Sequence, residues 1–330
     1  MKNRKLTAGL ALAAAGVLTL AGCSGSGDGA ASEGGAEGQS YSIGILQLVQ
    51  HPALDAATEG FQQAFEDAGV EVEWDVQNAN GEQATAVTIA QNFASSDLDM
   101  VLAVATPAAQ ASAQAMTDVP VLFTAVTDAV EAELVDSNEE PGGNVTGTSD
   151  AAPIGDQLDL LAEIVPDAKK IGIVYSSGEV NSEVQVKAAK EAASERGMQI
   201  VETTVTTAND IAQAAETLGD VDAIYVPTDN TVVSGIASLI QVAEAKQIPV
   251  IGAESGTVEG GAVATLGIDY TKLGIQTGEM ALKILQDGGD PATTPVEFSK
   301  EFTYVVNEGA AKRMGVTVPA EILEQAELVG

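Results

Sequence analysis

Cysteine and histidine are almost absent from this 330-residue sequence, which holds one of each, Cys23 and His51. A lone cysteine excludes a disulfide within the chain. With one histidine besides, no His/Cys metal cluster can be assembled, and His51, followed at once by Pro52 and standing alone, does not suggest a Ser-His-Asp or Cys-His catalytic set. Positive charge is also scarce: 14 Lys and Arg stand against 48 Asp and Glu, a formal net charge of −34. Nucleic-acid binding needs a basic footprint, so that class is excluded, and polyanionic ligands are disfavoured. Solubility or adaptation to salt is the simpler meaning of the acidity. No G-x-x-x-x-G-K-[ST] loop occurs, nor a G-x-G-x-x-G after a strand pattern, so nucleotide binding through such loops has no support. The apolar run nearest the start, Leu6–Leu20, falls short of the roughly 20 residues needed to span a bilayer and is interrupted by Thr7, Gly9, Gly16 and Thr19.

What is present begins with Lys2, Arg4 and Lys5, the apolar run, and then Leu20-Ala21-Gly22-Cys23. A basic region, an apolar region and small residues at a cleavage site make a secretory signal over residues 1–22. Cys23 is then the expected point of lipidation, since Leu-Ala-Gly-Cys resembles a bacterial lipobox, and acyl chains anchor a protein without making it span. After Cys23, residues up to 40 are Gly, Ser, Ala and acid apart from Gln39, so 23–40 reads as a flexible tether. Globular sequence starts at Tyr41, and its length suggests two domains.

Two stretches share one plan. In Asp99–Val126 an apolar run, Met100–Val104, meets Ala105-Thr106-Pro107, a helix-like segment and a second apolar run after Pro120. In Asp222–Glu254 the run Ala223–Val226 meets Pro227-Thr228-Asp229-Asn230, a helix-like segment to about Lys246 and the run Ile248–Ile251. Upstream, Ile43-Gly44-Ile45 is echoed by Ile171-Gly172-Ile173 at nearly the same offset that separates Pro120 from Pro249. The chain therefore carries a duplicated βαβαβ unit. Its fold class is α/β, two doubly wound parallel-sheet lobes with a ligand cleft between them. Right-handed crossovers make consecutive strands parallel, and ligands bind beyond the carboxyl ends of such strands. Residues 41–147 plus 268–291 are assigned to the first lobe, and residues 148–267 plus 292–330 to the second. Pro295–Val306 alternates like one strand, and Trp74, on the alternating run Val70–Val76, is expected in the core.

Short polar groups follow the strands. They are Gln50, His51, Thr106, Pro107, Thr127 and Asp128 in the first lobe, with Asp150 near a crossing. In the second lobe they are Ser177, Glu179, Asn181, Thr228, Asp229, Asn230 and Glu254, with Asp269 near another crossing. Hydroxyls, amides and helix-start N–H groups suit a ligand carboxylate, and carboxylates suit an ammonium. Together they fit a zwitterion such as an amino acid. The same residue types also serve as helix caps and turns. The asymmetry between Ala105-Thr106-Pro107 and Pro227-Thr228-Asp229-Asn230 suggests that the second lobe supplies more of the charge-specific recognition. Neither a catalytic residue, a metal nor a cofactor is called for.

Several motifs go further: His51-Pro52-Ala53-Leu54-Asp55, Thr124-Ala125-Val126-Thr127-Asp128, Asn144-Val145-Thr146-Gly147-Thr148-Ser149-Asp150, Pro227-Thr228-Asp229-Asn230 and Gly267-Ile268-Asp269-Tyr270. In this order they resemble the tryptophan/tyrosine-type substrate-binding lipoproteins of bacterial ABC importers, over about Tyr41–Val329. The resemblance implies a periplasmic-binding-protein type I fold with three interlobe crossings, and an amino acid ligand, often aromatic. It also implies an ABC permease and its ATPase subunit as partners, an extracytoplasmic location, a lipid anchor and a monomer. Gln50 stands where many relatives carry an acid, and few aromatic residues lie in the loops. A lipid-anchored ligand sensor partnering a membrane receptor would share the fold.

Overall fold

The computed structural model describes residues 40–299 and 301–330. Cys23, the signal and all but the last residue of the tether lie outside the described residues.

The first lobe begins with β1 (Tyr41–Gln47), α1 (Pro52–Asp67), β2 (Val72–Asn78), α2 (Gln83–Phe93) and β3 (Met100–Val104). It continues with α3 (Thr106–Ala115), β4 (Val121–Val126) and β5 (Val145–Ser149). After a crossing, the second lobe runs α4 (Ile154–Ile164), β6 (Lys170–Ser176), α5 (Val180–Glu195), β7 (Gln199–Val205), α6 (Ile211–Thr217) and β8 (Ala223–Val226). Next come α7 (Asn230–Ser234), α8 (Ile236–Lys246), β9 (Val250–Gly252), α9 (Ser255–Glu259) and β10 (Ala264–Gly267). The chain then returns to the first lobe for α10 (Tyr270–Asp287) and β11 (Glu297–Phe298). It ends in the second with β12 (Thr303–Val306), α11 (Glu308–Arg313), α12 (Ala320–Leu323) and β13 (Glu327–Leu328).

The duplication is visible in the sheets. The first has the order β11-β5-β4-β3-β1-β2 and the second β13-β12-β10-β9-β8-β6-β7. Apart from the added edge strands, the two orders are the same. All pairings are parallel except β10 with β12. The central strands β3 and β4 are buried along their whole length, as expected of apolar runs covered on both faces.

Three differences from the expected boundaries have physical causes. β5 pairs with β4 as far as Ser149, so the first crossing falls at 150–153 rather than after Gly147. The segment 292–298 belongs to the first lobe, because Glu297 and Phe298 pair with Thr148 and Ser149. The alternating stretch Pro295–Val306 is thus two strands in two sheets, a distinction that period-2 alternation cannot express. The helix expected to reach Lys246 breaks into α7 and α8 at Gly235, where a Cβ would meet Ile211 and Ala208. On the edge strand β2, Val76 is exposed, whereas Trp74 packs edge-on against Phe61 and Phe65.

The helix that returns is clamped to the first lobe by glycines. A Cβ on Gly274 would strike the Ala57 carbonyl, and one on Gly60 the Thr271 carbonyl, so α1 and α10 approach at backbone contact. In the second lobe the buried Tyr225 hydroxyl donates to Gln157 Oε1 at 2.6 Å. Gln157 Nε2 in turn donates to the carbonyls of Ala253 and Leu266, fixing α4 against β9 and β10.

Candidate functional site

Between the strand ends of the two sheets lies a narrow cleft. The first lobe lines it with His51, Leu54, Ala125, Thr127 and Asp150; the second with Asn181, Thr228, Asp229, Asn230, Val233 and Glu254; and Tyr270 enters from α10. The lobes touch around it. His51 Nε2 faces Asn230 Oδ1 at 3.4 Å, and Gln83 Nε2 donates to the Gly178 carbonyl at 2.8 Å. Val180, from the second lobe, packs on the apolar core of the first.

The two sides hold their polar groups differently. In the first lobe, α1 and α3 start without a side-chain cap, at His51 and Ala105. Ala105 has φ 83° and ψ 155°, and Ala125 has φ 56° at a shift in the β4–β5 register. Non-glycine residues at positive φ are costly, and they persist where surrounding structure enforces them. In the second lobe, Asp229 caps α7 through Val232 N and also accepts from Ser176 N at 2.5 Å and Ser182 Oγ at 2.7 Å. Glu179 accepts from the backbone and side chain of both Asn230 and Thr231. Glu254 caps α9 through Gly256 N and Thr257 Oγ1, both at 2.7 Å.

Asp150 stands at the first crossing, only 4 % exposed. Its carboxylate accepts from Thr127 Oγ1 and from the Tyr270 hydroxyl, each at 2.9 Å, so two of the interlobe crossings are tied through one side chain. Burial raises its pKa above the ordinary range, the two hydroxyls oppose this, and the Glu254 carboxylate adds to it. Burial and the same two carboxylates push the Tyr270 phenol well up. Asp229 is pushed up to about 7, first by burial and then by Glu179. None of the cavity-lining residues is Lys or Arg. The ion pairs among the described residues, such as Lys190 with Glu202 and Arg196 with Asp159, lie on the surface. Buried carboxylates without a cation are unfavourable, and an arriving ammonium would relieve them.

Of the residues singled out from the sequence, His51, Thr127, Asp150, Asn181, Thr228, Asp229, Asn230 and Glu254 come together in this cavity. Glu179 lies behind it, holding Asn181 and Asn230. Pro107 lines a neighbouring interlobe groove, and Thr106 is buried beside it in the first turn of α3. Four residues are not brought in. Gln50 and Ser177 are exposed, Asp128 caps its own turn through Val130 N and Glu131 N, and Asp269 is an exposed cap of α10. The lining residues absent from that set are Leu54, Ala125, Val233 and Tyr270. Leu54 and Val233 each lie one helical turn past a polar residue that was singled out, a spacing that could have found them.

The family profile described as "ABC transporter substrate binding protein" matches residues 42–329. The chain belongs to this family. Substrate-binding proteins of ABC transporters bind solutes outside the cytoplasm and are not enzymes. This substrate-binding protein is 40% identical over 322 residues to the tyrosine-binding protein of Clostridioides difficile (strain R20291), covering 95% of this chain and 93% of that one. Its fold resembles the ABC domain from Streptococcus pneumonia in complex with L-Trp (TM-score 0.85, 36% identity), covering 88% of this chain and 100% of that one. It is less like the ligand-free, open structure of an adhesive substrate-binding protein of Clostridium difficile (TM-score 0.68), despite 46% identity over 88% of this chain and 99% of that one. Sequence identity and structural likeness run in opposite directions here. The lobes of this protein therefore stand nearer the arrangement of the tryptophan complex.

Proposed function

We propose that this protein captures an amino acid, with tyrosine and tryptophan as the leading ligands, by closing its two lobes around it, and delivers it to an ABC permease driven by its ATPase subunit. The observation that carries the reading is the pair Asp150 and Glu254, 4% and 1% exposed, which face one cavity that no Lys or Arg lines. A ligand ammonium supplies the missing positive charge. The uncapped start of α1, at the cavity-lining His51, suits its carboxylate, and Leu54, Ala125 and Val233 suit an apolar side chain. The relatives that bind tyrosine and L-Trp agree with this. Closure follows from binding because only the closed arrangement presents groups of both lobes to one ligand.

The proposal includes lipidation at Cys23, with the protein held outside the membrane as a monomer on the tether up to residue 40. Calorimetric titration of the purified protein with the twenty amino acids tests the binding. Heat with tyrosine or tryptophan is expected, and silence with all twenty would overturn the reading. Incorporation of a labelled fatty acid, lost in Cys23→Ala, tests the anchor.

A further inference from the structure

We propose that His51 Nδ1 and Asn181 Oδ1 form an acceptor pair, one from each lobe, that takes a hydrogen-bond donor carried on the ligand's side chain. The inference deepens the amino-acid reading above and rests on it. Both residues line the cleft, they are 8% and 3% exposed, and both atoms are buried without a hydrogen-bond partner.

Their acceptor character follows from their neighbours. Asn230 Nδ2 donates to Glu179 Oε2 at 2.5 Å, which turns Asn230 Oδ1 toward His51. A carbonyl oxygen can only accept, so the imidazole tautomer that fits this contact has its proton on Nε2 and a lone pair on Nδ1. Asn181 Nδ2 donates to the Thr228 carbonyl at 2.9 Å and to Glu179 Oε2 at 3.1 Å, so its oxygen is the free end. The other side-chain donors of the cavity are engaged: Thr127 and Tyr270 on Asp150, and the Thr228 hydroxyl on Gln185. The donor for these two acceptors must therefore arrive with the ligand.

An ammonium is already accounted for by Asp150 and Glu254. What remains is a donor on the side chain, such as a phenol O–H or an indole N–H. Phenylalanine offers neither and would leave both acceptors dry, and sites built to hydrogen-bond a substrate group discriminate strongly against the analogue that lacks it.

The test is a set of calorimetric affinities for tyrosine, tryptophan and phenylalanine with the wild-type chain, His51→Gln and His51→Asn. The Gln side chain keeps a polar group near the Nε2 position, and the Asn side chain keeps one near Nδ1. Wild type is expected to prefer tyrosine over phenylalanine by roughly tenfold or more. His51→Gln should shrink that ratio severalfold, through weaker tyrosine binding, and His51→Asn should preserve most of it. An equal loss for tyrosine and phenylalanine in His51→Gln would overturn the proposal, because it would assign His51 to main-chain recognition or to lobe closure. A wild-type ratio near one would overturn it as well. Silence of the wild type with every amino acid would instead strike the underlying reading, and a changed ratio cannot mimic that result.

Discussion

The loops after β3 and β8 occupy equivalent places in the two lobes, yet they are built on opposite principles. After β3 the chain holds Ala105 at positive φ and starts α3 without a side-chain cap. After β8, Asp229 caps α7, and Asp229 and Asn230 spend most of their hydrogen-bonding capacity within the second lobe, on Ser176, Ser182, Val232 and Glu179. Polar residues in a ligand cleft are thus not automatically ligand residues. Asp229, conspicuous in sequence, behaves as a scaffold, whereas Asp150 at the crossing keeps its carboxylate between the lobes. Within the second lobe Asp229 and Glu179 organise the loop, and Glu254, which caps α9 through Gly256 N and Thr257 Oγ1, is the carboxylate we propose for the ligand ammonium from that side.

The largest effect expected is on stability. Asp229→Ala removes the acceptor for Ser176 N, Ser182 Oγ and Val232 N in a fully buried site, and should cost about 3 kcal/mol in urea unfolding. Unchanged stability would refute the scaffold role. Asp150→Asn should separate the two roles from the other side. It removes a carboxylate that burial already disfavours, so the ligand-free protein should melt no lower than wild type. Ligand affinity should fall about a hundredfold, comparable to losing a charge-assisted pair of roughly 3 kcal/mol. Retained affinity would place the ammonium elsewhere.

Much of this division was open to sequence reasoning, and the rest was hidden for identifiable reasons. The duplicated unit was legible because apolar strands and turn residues repeat at a fixed offset, and the sheet orders follow from it. Eight lining residues were legible because they are polar and follow strands. Ala125 was not, since its contribution is a backbone angle and alanine carries no signal for positive φ. The membership of β11 in the first sheet depends on a partner about 150 residues upstream, which local alternation does not encode. Gln50 and Asp269 looked like Thr127 and Asp150 because the composition of a turn does not reveal which way it faces.

The pH dependence sharpens the same contrast. Asp229 is held up to about 7 against an ordinary 3.8, and Asp150 is raised as well. The folded state therefore binds protons that the unfolded state has already released between about pH 4 and 7. Stability must fall as pH rises through that window. Thermal unfolding at pH 5.5 should thus give a higher Tm than at pH 8, with a shallower slope in Asp150→Asn. Bound ligand should flatten the dependence further, because an ammonium favours the ionised carboxylate. A Tm that climbs with pH would contradict the burial of these groups.

The smallest effect isolates the strain itself. Ala105 and Ala253 follow strands in the first and second lobes, and both are buried, but only Ala105 has positive φ. Replacing either with Gly removes one buried methyl and adds the same freedom to the unfolded chain, so those contributions cancel between the two variants. What survives the subtraction is the cost of holding an L-residue at φ 83°, about 1 kcal/mol or somewhat more. Ala105→Gly should therefore unfold at a higher urea midpoint than Ala253→Gly by that margin. Equal midpoints would mean that the first lobe stores no strain at the start of α3, and that its uncapped helix start is a relaxed feature of the loop.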